Sequence, residues 1–285
     1  MDKALKQAIF KTFDATNKNS IEVIYEPLEN GTHKTHSKIG GRPSLPQGFQ
    51  WPYYEGMSFD NTTANRPLAF LAEIHLSETA AYDTDGLLPA AGVLSFFYEM
   101  ETEKWGFDPK DKGCARVFYF EDENVLSESE FPGDLQSDYQ FPEFLLTFKQ
   151  RVSLPYSVEV PAGAEDLDWD DYDQLKEEYG CRPDGWGDST KLLGYPDVIQ
   201  NPMEQECEEV TRGFYNGGEH EIPGDLEDEI QQASKDWMLL FQMGTIENGD
   251  FELMFGDCGH IYFWIKEKDL AEKNFDNVWL ILQCC

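Results

Sequence analysis

Three strand-like segments in the first half of the chain recur in the same order near its end. FLAEI, GVLSFFY and VFYF of the first set match LLFQM, GHIYFWI and VWLI of the second when Glu73 is placed on Gln242. Only the connections between the segments differ in length. Because short runs of apolar and aromatic residues are typical of β-strands, the pattern predicts two pseudo-duplicated β-rich units, residues 67–120 and 237–282. Chance similarity between aromatic-rich strands is the alternative.

The rest of the chain adds helices to these units. Residues near the N-terminus, Trp169–Tyr179 and residues 225–237 place apolar side chains one helical turn apart. Residues 121–235 carry most of the acidic groups and are predicted to be an insert. The sequence therefore predicts an α+β fold, with mostly antiparallel β-sheets and peripheral helices, in a single domain of residues 1–285. A chain of this length buries a sizeable core without disulfides or a structural metal.

The charge of the chain restricts its partners. It has 55 acidic and 22 basic residues, which gives a formal net charge of −33. Such a field repels nucleic acids and anionic membranes, and it attracts basic proteins and cations. We therefore expect no nucleic-acid or membrane partner, and a basic protein is the favoured one. An acidic surface that serves only solubility is the alternative.

The sequence also predicts a compartment and an absence of bound metal. The N-terminal segment is charged and amphipathic, unlike a signal peptide, and no apolar run approaches the ~20 residues of a membrane span. The six cysteines are dispersed without a CxxC spacing, which favours reduced thiols in the cytoplasm. No group of Cys and His has the spacing of zinc ligands, so we expect neither a metal nor a cofactor.

Four segments together resemble one known family. They are SKIGGRPSLPQGFQWP at 37–52, PLAFLAEIHL at 67–76, LLGYPDVIQ at 192–200, and FGDCGHIYFWI at 255–265 with the closing VWLILQ. The combination resembles the YwqG-like family, a bacterial domain of unknown function, over nearly the whole chain. The resemblance implies an α+β fold and an intracellular protein, without an established activity or catalytic residue. It also implies a role in immunity to bacterial toxins. Glu73 departs from the family, whose members more often carry Gln there.

Two features are candidates for binding a small ligand. Lys38 and Arg42 flank a glycine-rich turn, where an accessible backbone and two cations suit an anion. A rigid crossing that packs Trp51 against the core is the alternative. Glu73 and Gln242 are polar residues within apolar strands, and a buried carboxylate there is a candidate acid. More often, such a group binds main chain at a strand edge or bulge.

A third candidate lies at the turn before a late strand. Asp257, Cys258 and His260 cluster there, and the last two share a face if the strand begins early. A thiolate and an imidazole together suit nucleophilic catalysis. A hairpin turn without chemistry is the alternative, because working pairs usually come from distant segments.

The densest acidic run precedes and enters the predicted helix Trp169–Tyr179. We expect four residues of this run to face a partner: Asp168, Asp170, Asp171 and Asp173. With Asp166 and Glu177, the run also fits positions of a calcium loop. Asp171 stands where that loop requires glycine, so a capped acidic helix without calcium is expected.

Together these features favour a non-enzymatic protein that binds a basic protein, including a toxin that it neutralises. The alternative is an enzyme or small-ligand binder that uses the cleft between the two β units. Four residues are its candidates: Arg42, Glu73, Asp257 and His260.

Overall fold

Short helices alternate with many strands along the chain. The computed structural model describes residues 2–28, 36–156, 161, 167–181, 189–218 and 221–285. The helices in these residues are α1 (Lys3–Thr16), α2 (Leu76–Thr79), α3 (Trp169–Tyr179), α4 (Glu204–Thr211), α5 (Gly224–Ala233) and α6 (Glu267–Ala271). The strands are β1 (Lys18–Pro27), β2 (Lys38–Ile39), β3 (Ser44–Pro46), β4 (Tyr53–Met57), β5 (Thr63–Pro67), β6 (Ala69–His75), β7 (Val93–Tyr98), β8 (Ala115–Phe120), β9 (Leu126–Glu128), β10 (Phe144–Ser153), β11 (Lys191–Leu192), β12 (Trp237–Met243), β13 (Ile246–Asn248), β14 (Phe251–Leu253), β15 (His260–Lys266) and β16 (Trp279–Gln283).

One large sheet organises the molecule. Its strand order is β16-β15-β12-β11-β1-β10-β2-β6-β7-β8, and each pair of neighbours in it is antiparallel. Three two-stranded ladders, β3–β9, β4–β5 and β13–β14, lie outside it. The fold is thus mixed α and β with mostly antiparallel sheets, as the sequence predicts.

The large sheet has a long centre and two similar ends. At the centre β1 and β10 pair from Lys18↔Ser153 to Pro27↔Phe144. On one side follow β2 and the meander β6-β7-β8, and on the other follow β11 and the meander β12-β15-β16. These meanders contain the two matching sets of segments in the sequence. β6 and β12 each carry a register shift against the next strand, between Phe70 and Ala72 and between Leu239 and Phe241.

The acidic stretch between the meanders contributes to the sheet. Residues 121–235 contain β10, which pairs with β1 at the centre of the sheet, and β11, which joins β1 to β12. In β10 the buried Phe144, Leu146 and Phe148 alternate with less buried residues, the pattern of a strand with one face on the core. This region is therefore part of the central architecture, whereas the sequence predicts an insert. Their partners, β1 and β12, lie far away in the chain, and no local pattern reports such pairing.

The inner faces of the two meanders pack against each other. The ring of Phe96 in β7 lies 4.6 Å from that of Phe241 in β12 and 5.2 Å from that of Phe263 in β15, between centroids. All three side chains are fully buried. Each contributes about 1.5–3 kcal/mol through the apolar area it removes from water.

Helix α4 covers the opposite face of the second meander. Met203, Cys207 and Val210 pack there on side chains that alternate with the inward ones, such as Tyr262 and Trp264 of β15. The strands of this meander are consequently buried on both faces, which explains their nearly continuous apolar sequence.

Two predicted helices form a smaller cluster at the end of β10, where they pack with Leu154. The ring of Phe13 in α1 meets those of Tyr172 and Tyr179 in α3 edge to face, at 5.8 and 5.3 Å. The helical prediction for Trp169–Tyr179 is confirmed to the residue. Among the residues that the structure describes, no helix combines the length and apolar character needed to cross a membrane.

Candidate functional site

Glu73 lies in a buried polar group that we call the Glu73 cluster: Lys38, Ser44, Glu73, His75 and Glu143. Lys38 of β2 is paired with Glu73 of β6, and both are almost inaccessible. The Lys38 ammonium donates to the Arg42 carbonyl at 2.6 Å and to Glu143 at 3.3 Å, and lies 3.7 Å from Glu73. Glu73 accepts hydrogen bonds from the backbone N and the hydroxyl of Ser44, at 2.7 and 2.9 Å.

His75 extends this cluster toward the surface. Its Nδ1 lies 3.0 Å from a carboxylate oxygen of Glu123, and its Nε2 lies 3.7 Å from Glu73. Burial acts to lower the pKa of His75, but the negative charges of Glu73 and Glu123, with the hydrogen bond to Glu123, outweigh it and raise the pKa. The imidazole is therefore a partner of Glu73 and Glu123 and favours its charged form.

Gln242 lies in a second buried group that we call the Gln242 cluster: Lys191, Asp197 and Gln242. Lys191 of β11 is paired with Gln242 of β12, and its ammonium lies 2.5 Å from Asp197. The backbone N of Asp197 donates to Gln242 Oε1 at 2.8 Å, and Gln242 Nε2 donates back to the Asp197 carboxylate at 2.8 Å. Burial would raise the pKa of Asp197, but Lys191 outweighs it and lowers the pKa to about 2.

In both clusters the polar side chains bond to other groups of the protein. Glu73 and Gln242, which the sequence marks as candidates for chemistry, hold neighbouring segments of the chain against their strands. Beside Lys191 and Asp197, the described residues bound a polar cavity of about 50 Å³, which is room for water and not for a metabolite. The arrangement is that of a structural network.

Arg42 points away from Lys38. Its guanidinium is exposed and pairs with Glu128 and Glu130 at 3.4 and 2.7 Å, so the two cations do not form one anion site. Gly40 between them has φ +64°, and a Cβ there would lie 2.1 Å from a backbone oxygen of Pro142. The glycines thus permit a close crossing. Trp51 packs edge to face on a core phenylalanine, as the alternative reading predicts.

The turn at Asp257 does not assemble a catalytic pair. Cys258 is exposed with φ +53°, whereas His260 at the start of β15 is buried, with Nδ1 3.3 Å from the Tyr262 hydroxyl. The pKa of the Cys258 thiol is raised, first by desolvation and then by the charge of Asp257. A nucleophilic cysteine requires the opposite shift.

The four predicted partner-facing residues occur in and before α3, and all four are exposed: Asp168, Asp170, Asp171 and Asp173. Asp168 is the N-cap and accepts from the backbone N of Asp171 at 2.9 Å. Asp173 pairs with Lys176 at 3.1 Å. Asp166 of the calcium register lies outside the described residues. Asp168 is the N-cap, and Asp170 and Glu177 lie within the helix. In the described ranges no three His, Cys, Asp or Glu side chains group as metal ligands.

The predicted cleft between the β units has a counterpart with other residues. A groove of about 550 Å³ lies between the start of β16 and the start of β8. Its described lining holds four cations and two indole rings: Lys112, Arg116, Arg212, Lys266, Trp237 and Trp279. None of Arg42, Glu73, Asp257 and His260 is in that lining.

A second groove, of about 660 Å³, was not predicted from the sequence. We call it the aromatic groove, and six side chains define it: Phe59, Glu103, Trp105, Asp108, Asp111 and Tyr215. These residues come from three loops without periodic patterning. The only sequence signal is the presence of single aromatic residues beside Gly and Asp, as in KWGFDP and GFYNGG.

Comparison with known proteins gives a family without an activity. Residues 37–284 match the model of a family described as a domain of unknown function, DUF1963. No curated protein matches the chain.

Proposed function

We propose that this chain, which belongs to the DUF1963 family of unknown function, is a non-enzymatic protein that binds a basic protein partner. One observation carries the proposal. The groups suited to catalysis are bound to one another in the Glu73 and Gln242 clusters, while the carboxylates of α3 face solvent. The resemblance to YwqG-like proteins makes a toxin a fitting partner, with this chain as its cytoplasmic immunity protein.

The distribution of charge supports this proposal. Residues 121–229 contain more than half of the acidic residues and fewer than a third of the basic ones. Carboxylates at this density repel one another, and an approaching basic protein relieves that repulsion. Long-range attraction also accelerates encounter, which suits an inhibitor that must reach its target quickly.

We also infer that the two meanders arose from one duplicated unit. Three contacts support this inference because they recur at the same relative positions. In the first pair, Gly40 N donates to the Leu71 carbonyl, and Leu193 N donates to the Leu240 carbonyl. In the second, His75 N donates to Ser37 Oγ, and Gly244 N donates to Thr190 Oγ1. In the third, Ser44 N donates to the Glu73 side chain, and Asp197 N donates to the Gln242 side chain. An experimental structure in which the meanders fail to superpose with Glu73 on Gln242 would contradict it.

The second candidate function is binding or conversion of a small ligand. The groove of about 550 Å³ between β8 and β16 favours it, because its volume is typical of ligand sites. A small molecule that binds there would raise the melting temperature by mass action.

The test is capture of basic proteins at low salt. Asp168→Asn, Asp170→Asn, Asp171→Asn and Asp173→Asn are combined in one variant, and a matched control removes four exposed charges elsewhere: Glu247→Gln, Asp250→Asn, Glu252→Gln and Glu267→Gln. We expect the α3 variant to recover much less basic protein than the control. Binding by the wild type should weaken steeply with added salt.

Stability is measured in parallel. Reduced repulsion stabilises the α3 variant. Asn at position 168 still caps the helix, so only the lost attraction between the carboxylates and the helix N-terminus opposes this, by about 0.3–1 kcal/mol. Equal capture by both variants and the wild type would show that the α3 face is only a solvated surface, and the small-ligand function would then be favoured.

A further inference from the structure

The aromatic groove concentrates exposed apolar surface in one place. Eight large apolar side chains are exposed in the described part of the chain, and Phe59, Trp105 and Tyr215 line this groove. Their exposed fractions are 82%, 39% and 52%. A single exposed apolar residue needs no explanation, but rings from three loops that meet in one groove indicate an interaction surface.

Acidic side chains line the same groove. Glu103, Asp108 and Asp111 contribute carboxylates, and Lys104 is the one cation among the described lining residues. The Lys104 ammonium already donates to the Met57 carbonyl at 3.0 Å. Burial raises the pKa of both Glu103 and Asp111, so their negative charges are incompletely solvated. Asp111 accepts from the backbone N of Gly106 at 3.1 Å, and Asp108 accepts from that of Lys110 at 2.9 Å, so one oxygen of each carboxylate is already bonded. A cation that enters the groove compensates the negative charge that remains.

Two of the three loops that form the groove, those of Phe59 and Trp105, are joined by a buried ion pair. Arg66 Nε donates to Glu99 at 3.0 Å, and both side chains are nearly inaccessible. Arg66 Nη1 also donates to the hydroxyl of Ser58, in the turn between β4 and β5, at 2.8 Å. Glu99 accepts from the backbone N of Thr102 at 3.2 Å, where the next wall begins. The walls are therefore held in place before any ligand arrives.

The third wall is fixed by the main chain. The backbone N of Asn216 donates to the Phe107 carbonyl at 2.8 Å, and its side-chain amide donates to the Glu206 carbonyl at 2.9 Å. A Cβ on Gly217 would lie 2.2 Å from the Tyr215 hydroxyl, so the tyrosine ring lies directly over this glycine. A preformed groove loses less entropy on binding than a mobile one.

We propose that the aromatic groove receives an arginine-bearing segment of the basic partner, with the guanidinium between the aromatic rings and the carboxylates. Aromatic faces attract cations, and a guanidinium both stacks on them and donates to carboxylates. Charge complementarity selects this occupant, because the described lining combines three carboxylates with one engaged cation. The inference rests on the proposed function, since it names a second surface of this chain that contacts the same basic partner.

The probe is a fluorescein-labelled tetra-arginine peptide, and its neutral isostere tetra-citrulline is the control. Binding is measured by fluorescence anisotropy at low salt on the full chain. We expect the wild type to bind tetra-arginine at least tenfold more tightly than tetra-citrulline. Trp105→Ala and Tyr215→Ala should each weaken tetra-arginine binding at least fivefold, although neither changes the net charge.

Two further variants separate the contribution of the aromatic ring to peptide binding from that of the carboxylate charge. Trp105→Phe keeps an aromatic face and should retain most of the affinity, and Glu103→Gln should lose affinity without a change in ring contacts. Circular dichroism and melting temperature establish that each variant is folded. If Trp105→Ala unfolds the chain, Tyr215→Ala and Glu103→Gln carry the test.

Each outcome has one reading. Losses confined to the groove variants, with little change in the α3 variant, support the inference. If tetra-arginine binding falls in the α3 variant and is unchanged by Trp105→Ala, Tyr215→Ala and Glu103→Gln, the groove inference is wrong while the proposed function stands. Equal binding of tetra-citrulline overturns the assignment of a cation. Absence of binding to both tetra-arginine and basic proteins overturns the inference together with the proposed function.

Discussion

The Glu73 cluster and the Gln242 cluster place their negative charge on different sides of a similar contact. In the first, the strand supplies the carboxylate of Glu73 and the crossing loop supplies Ser44. In the second, the strand supplies the amide of Gln242 and the loop supplies the carboxylate of Asp197. Both have a lysine in the adjoining two-residue strand, opposite the strand side chain.

The difference indicates what the fold requires at these places. Each cluster keeps a carboxylate near a buried lysine and a hydrogen bond from the loop backbone to the strand side chain, at 2.7 or 2.8 Å. The side that carries the charge differs between the two clusters. In both, the charged groups are bound within the protein, which is characteristic of a structural role.

The largest effect is expected in the Gln242 cluster. Lys191→Met leaves the carboxylate of Asp197 without its cation and should lower the free energy of unfolding by about 3–5 kcal/mol. Urea denaturation measures this. The double variant Lys191→Met with Asp197→Asn is the control and should recover most of the loss. A single-variant cost below about 1 kcal/mol would show that the ion pair is not essential.

The exchange of charge itself is testable in the Glu73 cluster. Glu73→Gln should cost about 2 kcal/mol, because Lys38 loses one of its two carboxylates. Adding Ser44→Asp supplies a carboxylate from the loop, as Asp197 does, and should restore at least half of that stability. Ser44→Asp alone should destabilise by crowding two carboxylates. A double-mutant cycle without favourable coupling would break the comparison.

The clusters should respond to pH in opposite directions. The pKa of His75 is raised in the folded chain by Glu73 and Glu123, so its contribution to stability is complete below about pH 6.5 and is lost as pH rises through the raised pKa. The stability difference between wild type and His75→Gln should therefore shrink from pH 6 to pH 8.5. A constant difference in chemical denaturation at both pH values would contradict this.

Asp197 should act at the acidic end. Its pKa of about 2 lies below the unfolded value, so its contribution is present above about pH 4 and is lost as pH falls toward 2. Asp197→Asn should accordingly destabilise the chain at pH 7 and have a much smaller effect near pH 2. Thermal unfolding followed by circular dichroism gives the comparison.

The smallest effect is expected at Arg42, whose side chain is exposed beside the Glu73 cluster. Arg42 pairs with glutamates in solvent, and Arg42→Gln should change the free energy of unfolding by no more than about 0.5 kcal/mol. Tyr195 follows Gly194 as Arg42 follows Gly41, and its hydroxyl donates to the Thr16 carbonyl at 2.9 Å. Tyr195→Phe should therefore cost about 1 kcal/mol. A larger loss for Arg42→Gln would reverse this order.

The parts of the fold that have local sequence patterns can be predicted from the sequence. The helix Trp169–Tyr179 and the apolar runs of both meanders follow from spacing and composition. The sequence marks Glu73 and Gln242 as polar positions in apolar strands, and both bind main chain beside a register shift, which is the alternative to a ligand site. The place of β10 and β11 in the sheet was missed because strand pairing is non-local.

Helix α4 and the aromatic groove were not predicted from the sequence, for two different reasons. Helix α4 buries Met203, Cys207 and Val210 at helical spacing, but glutamates between them obscure the apolar stripe. The aromatic groove joins three loops through Arg66 and Asn216, and no pattern within one segment reports such a junction. Contacts between distant loops depend on the completed fold.

The contact between the Trp105 loop and β16 sets an order of events during synthesis. Trp279 donates to the Gly106 carbonyl across 173 positions, and Leu282 donates to the Trp105 carbonyl, so an early loop covers the edge of the last described strand. Closing so long a loop is slow because few contacts stabilise the chain before the ends meet. While translation proceeds, these two loop carbonyl groups remain in water until residues 279–282 have been synthesised.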